Sequence, residues 1–414
     1  MRFNYQQGGI LSAVLLICLL ASTGTQAQLN NDELLEKLEF LQQQIDELKQ
    51  QLAQTQSQTE ETDAKLEAVA DVIEAAPLQV ADTRKTTIGG YGELHYNNLS
   101  ANDPSRDLEE VDFHRFVLFF GHEFNDKTRF YSEVELEHSL VADSGGDTPG
   151  EVELEQAFIE FDLQRNMHAR AGVFLLPIGL INETHEPPTF YGVERNDVEN
   201  IIIPSTWWEA GGGLNGRLGS DWDWVVAATS GLAMPTTGSN AFRVRSGRQK
   251  VAKAAASDGA ITGRIRYHGI AGLQAALTVQ YQFDPSQVAN DGLDDGTLVE
   301  AHIDYRNGGF GLRALYARWD FSGEAIEAAG ADKQTGWYIE PSYRLTSKLG
   351  FYTRYEEIGA ARKQDNFDQW ELGLNWWPTP NVVFKFDYRD RSHELASQYG
   401  RDFTGFDLGM GYMF

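Results

Sequence analysis

The stretch Thr404–Phe414, TGFDLGMGYMF, has two unlike faces. Phe406, Leu408, Met410, Tyr412 and Phe414 recur at every second position and are large and apolar. Gly405, Asp407, Gly409, Gly411 and Met413 lie between them and are mostly small or charged. A period of two is the signature of an extended strand whose side chains alternate across a sheet. Here one face is greasy and the other nearly empty.

The same alternation recurs upstream. In LQAALTVQYQF, Leu273, Leu277, Val279, Tyr281 and Phe283 oppose Gln274, Thr278, Gln280 and Gln282. In VVFKFDYR, Val382, Phe384, Phe386 and Tyr388 oppose Val383, Lys385, Asp387 and Arg389, and in FYSEVELEH, Phe130, Val134 and Leu136 oppose Glu133, Glu135 and Glu137. The pattern predicts strands near 86–97, 111–124, 127–140, 152–163, 167–175, 207–218, 221–231, 259–268, 271–283, 297–307, 309–321, 334–346, 348–358, 366–378, 380–391 and 403–414. Tight links such as NDK, NGG, TSK and PTP alternate with connections of roughly eight to thirty residues. A soluble sandwich has no reason to segregate loop lengths in this way. An even number of strands with short turns at one end and long loops at the other is the pattern of an outer-membrane barrel. About sixteen strands enclose a water-filled channel rather than a packed core. The expected fold is therefore an all-β transmembrane barrel over 86–414, of about 16 antiparallel strands. Its closing strand would end on an aromatic at the periplasmic rim, so Phe414, with Tyr412, is the expected signal to the barrel-assembly machinery. Trp222, Trp224 and Trp376 sit where interfacial girdles belong.

Composition narrows the alternatives. The 414 residues include 61 acidic and 34 basic ones, a formal charge of −27, which argues against a nucleic-acid-binding surface. A hydrophobic content of 42% excludes a disordered chain. The single cysteine, Cys18, lies in ILSAVLLICLLA, between the basic Arg2 and the small residues Thr25 and Ala27. That arrangement predicts a secretory signal peptide over 1–27; the apolar run is too short for a membrane helix. The mature chain then has no cysteine and must draw its stability from a hydrogen-bonded framework.

From Leu34, apolar residues follow at Leu38, Leu41, Ile45, Leu48 and Leu52, in alternating steps of four and three. The register continues through Thr55, Thr59, Thr62, Leu66, Val69 and Ile73, and Pro77 marks its end. This is a heptad seam, predicting a periplasmic coiled coil over 30–76 and a linker over 77–85. Leu and Ile are mixed along it, which leaves dimer and trimer open.

Three segments resemble the phosphate-selective porin O and P family. RAGVFLLPIGLINETHEPPTFYGVERNDVENIIIPSTWWEAGGGLNG is similar to its central segment, where a G-x-F-x-x-P-x-G block precedes a long loop and a glycine-rich strand. GGYGELHYN and VDFHRFVLFFGHEF resemble its opening strands. The resemblance covers roughly 86–414 and implies a trimeric outer-membrane channel of a Gram-negative bacterium, its long third loop folded inward to narrow the pore. Small anions such as phosphate would be the permeants. The helical segment resembles an extension that some relatives carry. One departure concerns the central block, where many relatives have a lysine and this chain has Leu175 and Leu176.

The loop after that block offers one basic residue, Arg195, against five carboxylates. A second long loop runs against the acidic trend, with Arg243, Arg245, Arg248, Lys250 and Lys253. In the strand that follows, Arg264 and Arg266 alternate with Ile265 and Tyr267, which places both arginines on the lumen face. At physiological salt the Debye length is about 8 Å, so a permeating ion responds to nearby charge rather than to the distant total. These eight residues are the candidate anion-binding, pore-lining set, and Arg suits phosphate through its fork of donors. Glu133, Glu135, Glu137, Glu300, Asp304, Glu340 and Glu356 could instead build a mixed or cation-favouring lining. A structural role, with the coiled coil tethering the envelope and the barrel as anchor, is the alternative of a different class.

Nothing in the sequence calls for a catalytic group, cofactor or metal. GGYGEL lacks the strand-to-helix setting of a nucleotide site. No serine lies in a G-x-S-x-G context. The nine histidines show no metal spacing, and His114 and His122 read as strand residues. The expected function is passive diffusion of small hydrophilic solutes through a hydrated constriction.

Overall fold

The computed structural model describes residues 85–139, 150–395 and 399–414, together with the helical positions Gln42, Gln43, Ile45 and Lys49. Those four fall within the expected coiled-coil segment. The rest of that segment, the expected signal peptide and the linker up to residue 84 lie outside the described residues.

Sixteen strands follow in chain order. They are β1 (Thr86–Ala101), β2 (Leu108–Asn125), β3 (Thr128–Glu137), β4 (Val152–Gln164), β5 (Met167–Leu175), β6 (Trp208–Leu218), β7 (Trp222–Ser230) and β8 (Gly259–Tyr267). Then come β9 (Leu273–Gln282), β10 (Asp295–Asn307), β11 (Phe310–Ser322), β12 (Lys333–Arg344), β13 (Leu349–Gly359), β14 (Phe367–Thr379), β15 (Val382–His393) and β16 (Phe403–Met413). Each pairs antiparallel with its sequence neighbours, and β1 pairs with β16, so the sheet closes without an edge. Closure satisfies every strand's backbone groups internally, the condition for crossing hydrocarbon. Beyond Met413, the Phe414 amide donates to the Gly90 carbonyl at 2.9 Å and its own carbonyl accepts from the Gly90 amide at 3.0 Å.

The turns at one end are two to five residues long, and the connections at the other are six to thirty-two. The side-chain alternation is the one read from the sequence. On β9, Leu277, Val279 and Tyr281 are exposed on the outer wall, while Thr278, Gln280 and Gln282 are buried inside. On β15, Phe384, Phe386 and Tyr388 point out, and Lys385, Asp387 and Arg389 point in. Trp222 and Trp376 are exposed at the turn end.

The main departure is at the first hairpin. β1 runs on to Ala101 and β2 begins at Leu108, four and three residues beyond the expected ends. Asn97, Asn98, Glu109 and Glu110 pair there without an apolar outer face. Ladder pairing continues past the apolar band, and a pattern of apolar alternation cannot register it. A register shift between Glu93 and His95 also breaks the period.

The lumen is not uniformly polar. Residues 176–207, the connection from β5 to β6, enter the barrel and bury Leu176, Ile178, Ile202, Ile203 and Trp207. These pack with Leu232, Met234, Phe242 and Val244 of the next long loop (231–258) and with inward-facing Leu298, Leu315, Trp319, Phe321 and Ile358 on the wall from β10 to β13. Each large side chain so buried contributes about 1.5–3 kcal/mol. This plug fills part of the barrel.

The nearly empty face of β16 now has a reason. A Cβ at Gly411 would lie 2.2 Å from the Pro187 Cβ, and one at Gly409 would lie 3.1 Å from the methyls of Val193. The inward loop rests directly on the glycine wall.

Candidate functional site: the constricted lumen

The inward loop is fastened by side chains that project from the wall into the lumen. The Asp387 carboxylate accepts from the Val193 amide at 3.1 Å, and Lys385 Nζ donates to the Gly192 carbonyl at 2.7 Å. The same ammonium lies 3.6 Å from the centre of the Phe190 ring. Asn375 and Arg313 donate to the carbonyls of Phe190 and Thr189, and Trp319 Nε1 donates to that of Ile202 at 2.9 Å. Glu356 accepts from the Asp197 amide at 2.8 Å, and Arg391 pairs with the Asp197 carboxylate. Within the loop, Glu199 is fully buried yet satisfied, accepting from the amides of Leu180 and Ile181 at 2.6 Å and from the Tyr338 hydroxyl at 3.1 Å. These contacts tie the loop to the lumen wall from Thr189 to Ile202, on β11 to β15.

Three of the eight candidate basic residues come together on it. Arg245 Nη1 donates to the carbonyls of Ser205 at 2.8 Å and Asn200 at 3.2 Å. Arg248 donates to the Thr206 carbonyl, and Arg195 Nη1 donates to Thr206 Oγ1 at 3.0 Å. None of the three has an ion-pair partner among the described residues. Burial, then Arg248 and Arg195 beside it, lowers Arg245 to about 9, so it keeps its charge at neutral pH. Arg195 Nε and Nη2 and Arg248 Nε are buried with no hydrogen-bond partner. Backbone carbonyls and a hydroxyl hold the three guanidinium groups without a direct ion pair among the described residues, although Glu137, Glu153 and Glu155 lie close enough to act on Arg248.

The other candidates are distributed differently. Arg243 pairs with Asp365 at 2.7 Å, and Lys250 with Glu151 at 2.6 Å and with Glu153. Lys253 is exposed on the same loop. Arg264 pairs with Glu183 of the inward loop, and Arg266 with Asp223 at 2.9 Å. These two arginines lie near the turn end of β8, so the sequence-predicted set is divided between the two ends of the lumen.

Arg195 and Arg245 line one cavity, and Arg264 and Arg266 another. On the loop side, about 390 Å3 is bounded by Arg115, Arg195, Arg245, Arg389 and Arg391 together with Glu93, Glu110, Asp112, Glu194 and Asp197. On the turn side, about 490 Å3 is bounded by Arg165, Arg170, Arg217, Arg264 and Arg266, against Glu183 and Asp223. Burial would raise the Glu183 carboxyl, but Arg264 and Arg170 outweigh it and hold it below the usual range. Arg170 lies 4.2 Å from the Phe174 ring centre, and its Nε and Nη2 have no partner.

Arg115, Arg170, Arg389 and Arg391 were not in the predicted set. Their signal was available, since Arg389 and Arg391 continue the inward-facing register of Lys385 and Asp387. Sequence could not show which were neutralised: Arg115 pairs with Glu93 at 2.7 Å, and Arg389 with Asp407. Of the expected assembly-signal pair, the Phe414 side chain is exposed, 6.5 Å from the Phe116 ring, and the Tyr412 ring lies against Gly92.

Comparison with known proteins places the chain in a family. The phosphate-selective porin O and P family matches residues 88–414, and the chain belongs to it. An uncharacterized protein of Aquifex aeolicus (strain VF5) is 30% identical over 338 residues, which is 73% of this chain and 74% of that protein. Among solved structures, the anion-selective porin from Comamonas acidovorans is similar at 12% identity and a TM-score of 0.56, covering 80% of this chain and 99% of that one. The outer membrane channel DcaP of Acinetobacter baumannii is similar at 13% identity and a TM-score of 0.54, covering 80% and 97%. At such identities the two structures speak for the fold alone. The protein is an outer-membrane porin, and it crosses the membrane with strands.

Proposed function

We propose that this porin conducts small anions, inorganic phosphate among them, by passive diffusion past the arginines of the inward loop. The observation that carries the reading is that Arg195, Arg245 and Arg248 converge with no ion-pair partner among the described residues. An anion entering from the loop side meets these guanidinium groups where burial weakens screening. It exchanges part of its hydration shell for N–H donors already held in position, and Arg presents a fork that matches two phosphate oxygens. No bond is made or broken; the gain is a lower electrostatic barrier at the constriction. Arg170, Arg264, Arg266 and Arg217 line the turn-side cavity and continue a basic route. A homotrimer, with 30–76 as a periplasmic coiled coil, completes the proposal on the strength of the family resemblance and the heptad seam.

A general or cation-preferring porin is the second reading, favoured by buried Glu133, Glu135 and Glu155 on the β3–β4 wall. Phosphate block of chloride current in planar bilayers separates the two. The triple variant Arg195→Gln/Arg245→Gln/Arg248→Gln should keep a heat-modifiable barrel and require at least about tenfold more phosphate for half-block. Block unchanged in the triple variant, or absent from the wild type, would sink the anion reading.

A further inference from the structure

Three imidazoles that no part of the conduction pathway above requires meet at the loop-side mouth. His95 is on β1, His114 on β2, and His138 follows the last residue of β3. The His95 and His114 rings are stacked with centroids 4.7 Å apart and planes 12° apart, and His138 meets His114 edge-on at 5.5 Å. The His138 amide donates to the His114 carbonyl at 3.0 Å, which fixes the spacing of the two residues.

The nitrogens of the three are not equally available. Both ring nitrogens of His95 are engaged by carboxylates, Nδ1 with Glu194 at 3.1 Å and Nε2 with Glu93 at 3.3 Å. His114 and His138 each use only Nδ1, and both aim it at the same atom, Asp112 Oδ2, at 3.0 and 2.9 Å. Two imidazole nitrogens are therefore held on one carboxylate oxygen, and the three donor atoms lie within 4.8 Å of one another. Metal–nitrogen and metal–oxygen distances of about 2.0–2.2 Å place two ligands of a tetrahedral ion roughly 3.3–3.5 Å apart. Each of the two nitrogen–oxygen pairs needs to open only slightly to reach that spacing. Side-chain exposures of 25% for His114, 38% for His138 and 19% for Asp112 keep the group accessible from the cavity that all three line.

We propose that Asp112, His114 and His138 bind a divalent transition-metal ion of the zinc class at the loop-side mouth of the channel. Two imidazoles and a carboxylate suit zinc, copper or nickel; calcium and magnesium prefer all-oxygen sets. His95, held between Glu93 and Glu194, stacks on His114 and fixes its ring without being a ligand. The bound dication would add positive charge to the wall of the cavity that Arg195 and Arg245 also line. Zinc added from the loop side should therefore change conductance and shift selectivity further toward anions.

Calorimetric titration of the full-length protein in detergent with zinc chloride tests this, with bilayer conductance as the second readout. About one tight zinc ion per chain is expected, displaced by chelator and not reproduced by calcium. His114→Gln/His138→Gln should weaken binding by at least about tenfold and abolish the zinc effect on conductance. Asp112→Asn, nearly isosteric and less disruptive to the wall, should weaken binding in the same sense. His122→Gln, whose ring partners Thr86 elsewhere on β2, should bind zinc like the wild type. Heat-modifiability of each variant establishes that it has folded. No zinc binding by the wild type, or undiminished binding by the folded Asp112→Asn and double-histidine variants, would show that these side chains form a hydrogen-bonded group and nothing more.

Discussion

At the scale of single residues, the lumen is decided by which side chains are absent as much as by which are present. Gly411 has no room for a Cβ, because Pro187 of the inward loop occupies that space. Gly411→Val should displace the loop without disturbing the outer wall, costing about 1–3 kcal/mol through overpacking. Heat denaturation should move to lower temperature and single-channel conductance should change. Both left at wild-type values would mean that the loop does not rest on β16. Lys385 acts from the opposite direction, gripping the loop through the Gly192 carbonyl and the Phe190 ring. Lys385→Met keeps most of the stem but removes the donor, so the barrel should survive while conductance becomes noisier or larger. Records indistinguishable from the wild type would remove Lys385 from the list of loop anchors.

At the scale of elements, the strands divide cleanly into a lipid face and a lumen face, and that division was legible from the sequence. Phe384, one residue before Lys385, is on the outer wall. Phe384 pairs with Trp376 close to the turn end, so Tyr388, two outward positions further along the same strand, is the deeper site, and Tyr388→Arg should cost about 2–4 kcal/mol. Folding yield in vesicles would check it, and a yield equal to that of Lys385→Met would contradict the register. The alternation in β9, β15 and β16 could be read because a membrane imposes one apolar face over the whole span. The extra pairing of β1 and β2 beyond Asn97 could not, since it extends past the lipid and carries no such pattern. Nor could the apolar plug. Leu298, Leu315, Trp319 and Phe321 sit on the inner face, where a water-filled barrel calls for polar residues, and only the inward loop explains them. The candidate site was legible in part. Residue type and register pointed to the arginines, but neither could reveal that Arg243, Arg264 and Arg266 meet carboxylates while Arg195, Arg245 and Arg248 meet carbonyls and a hydroxyl.

At the scale of the whole molecule, an excess of negative charge coexists with arginine-lined cavities at both ends of a narrowed lumen. The two facts are compatible because charge beyond about 8 Å is largely screened at physiological salt. Selectivity then follows the lining of the constriction and not the formal charge of −27. The most direct test is the zero-current potential of the wild-type channel across a planar bilayer with a potassium chloride gradient. A potential of the sign set by chloride is predicted, shrinking as both salt concentrations are raised in the same ratio. A potential of the sign set by potassium would contradict the account, because the carboxylates, and not the arginines, would then govern the pore.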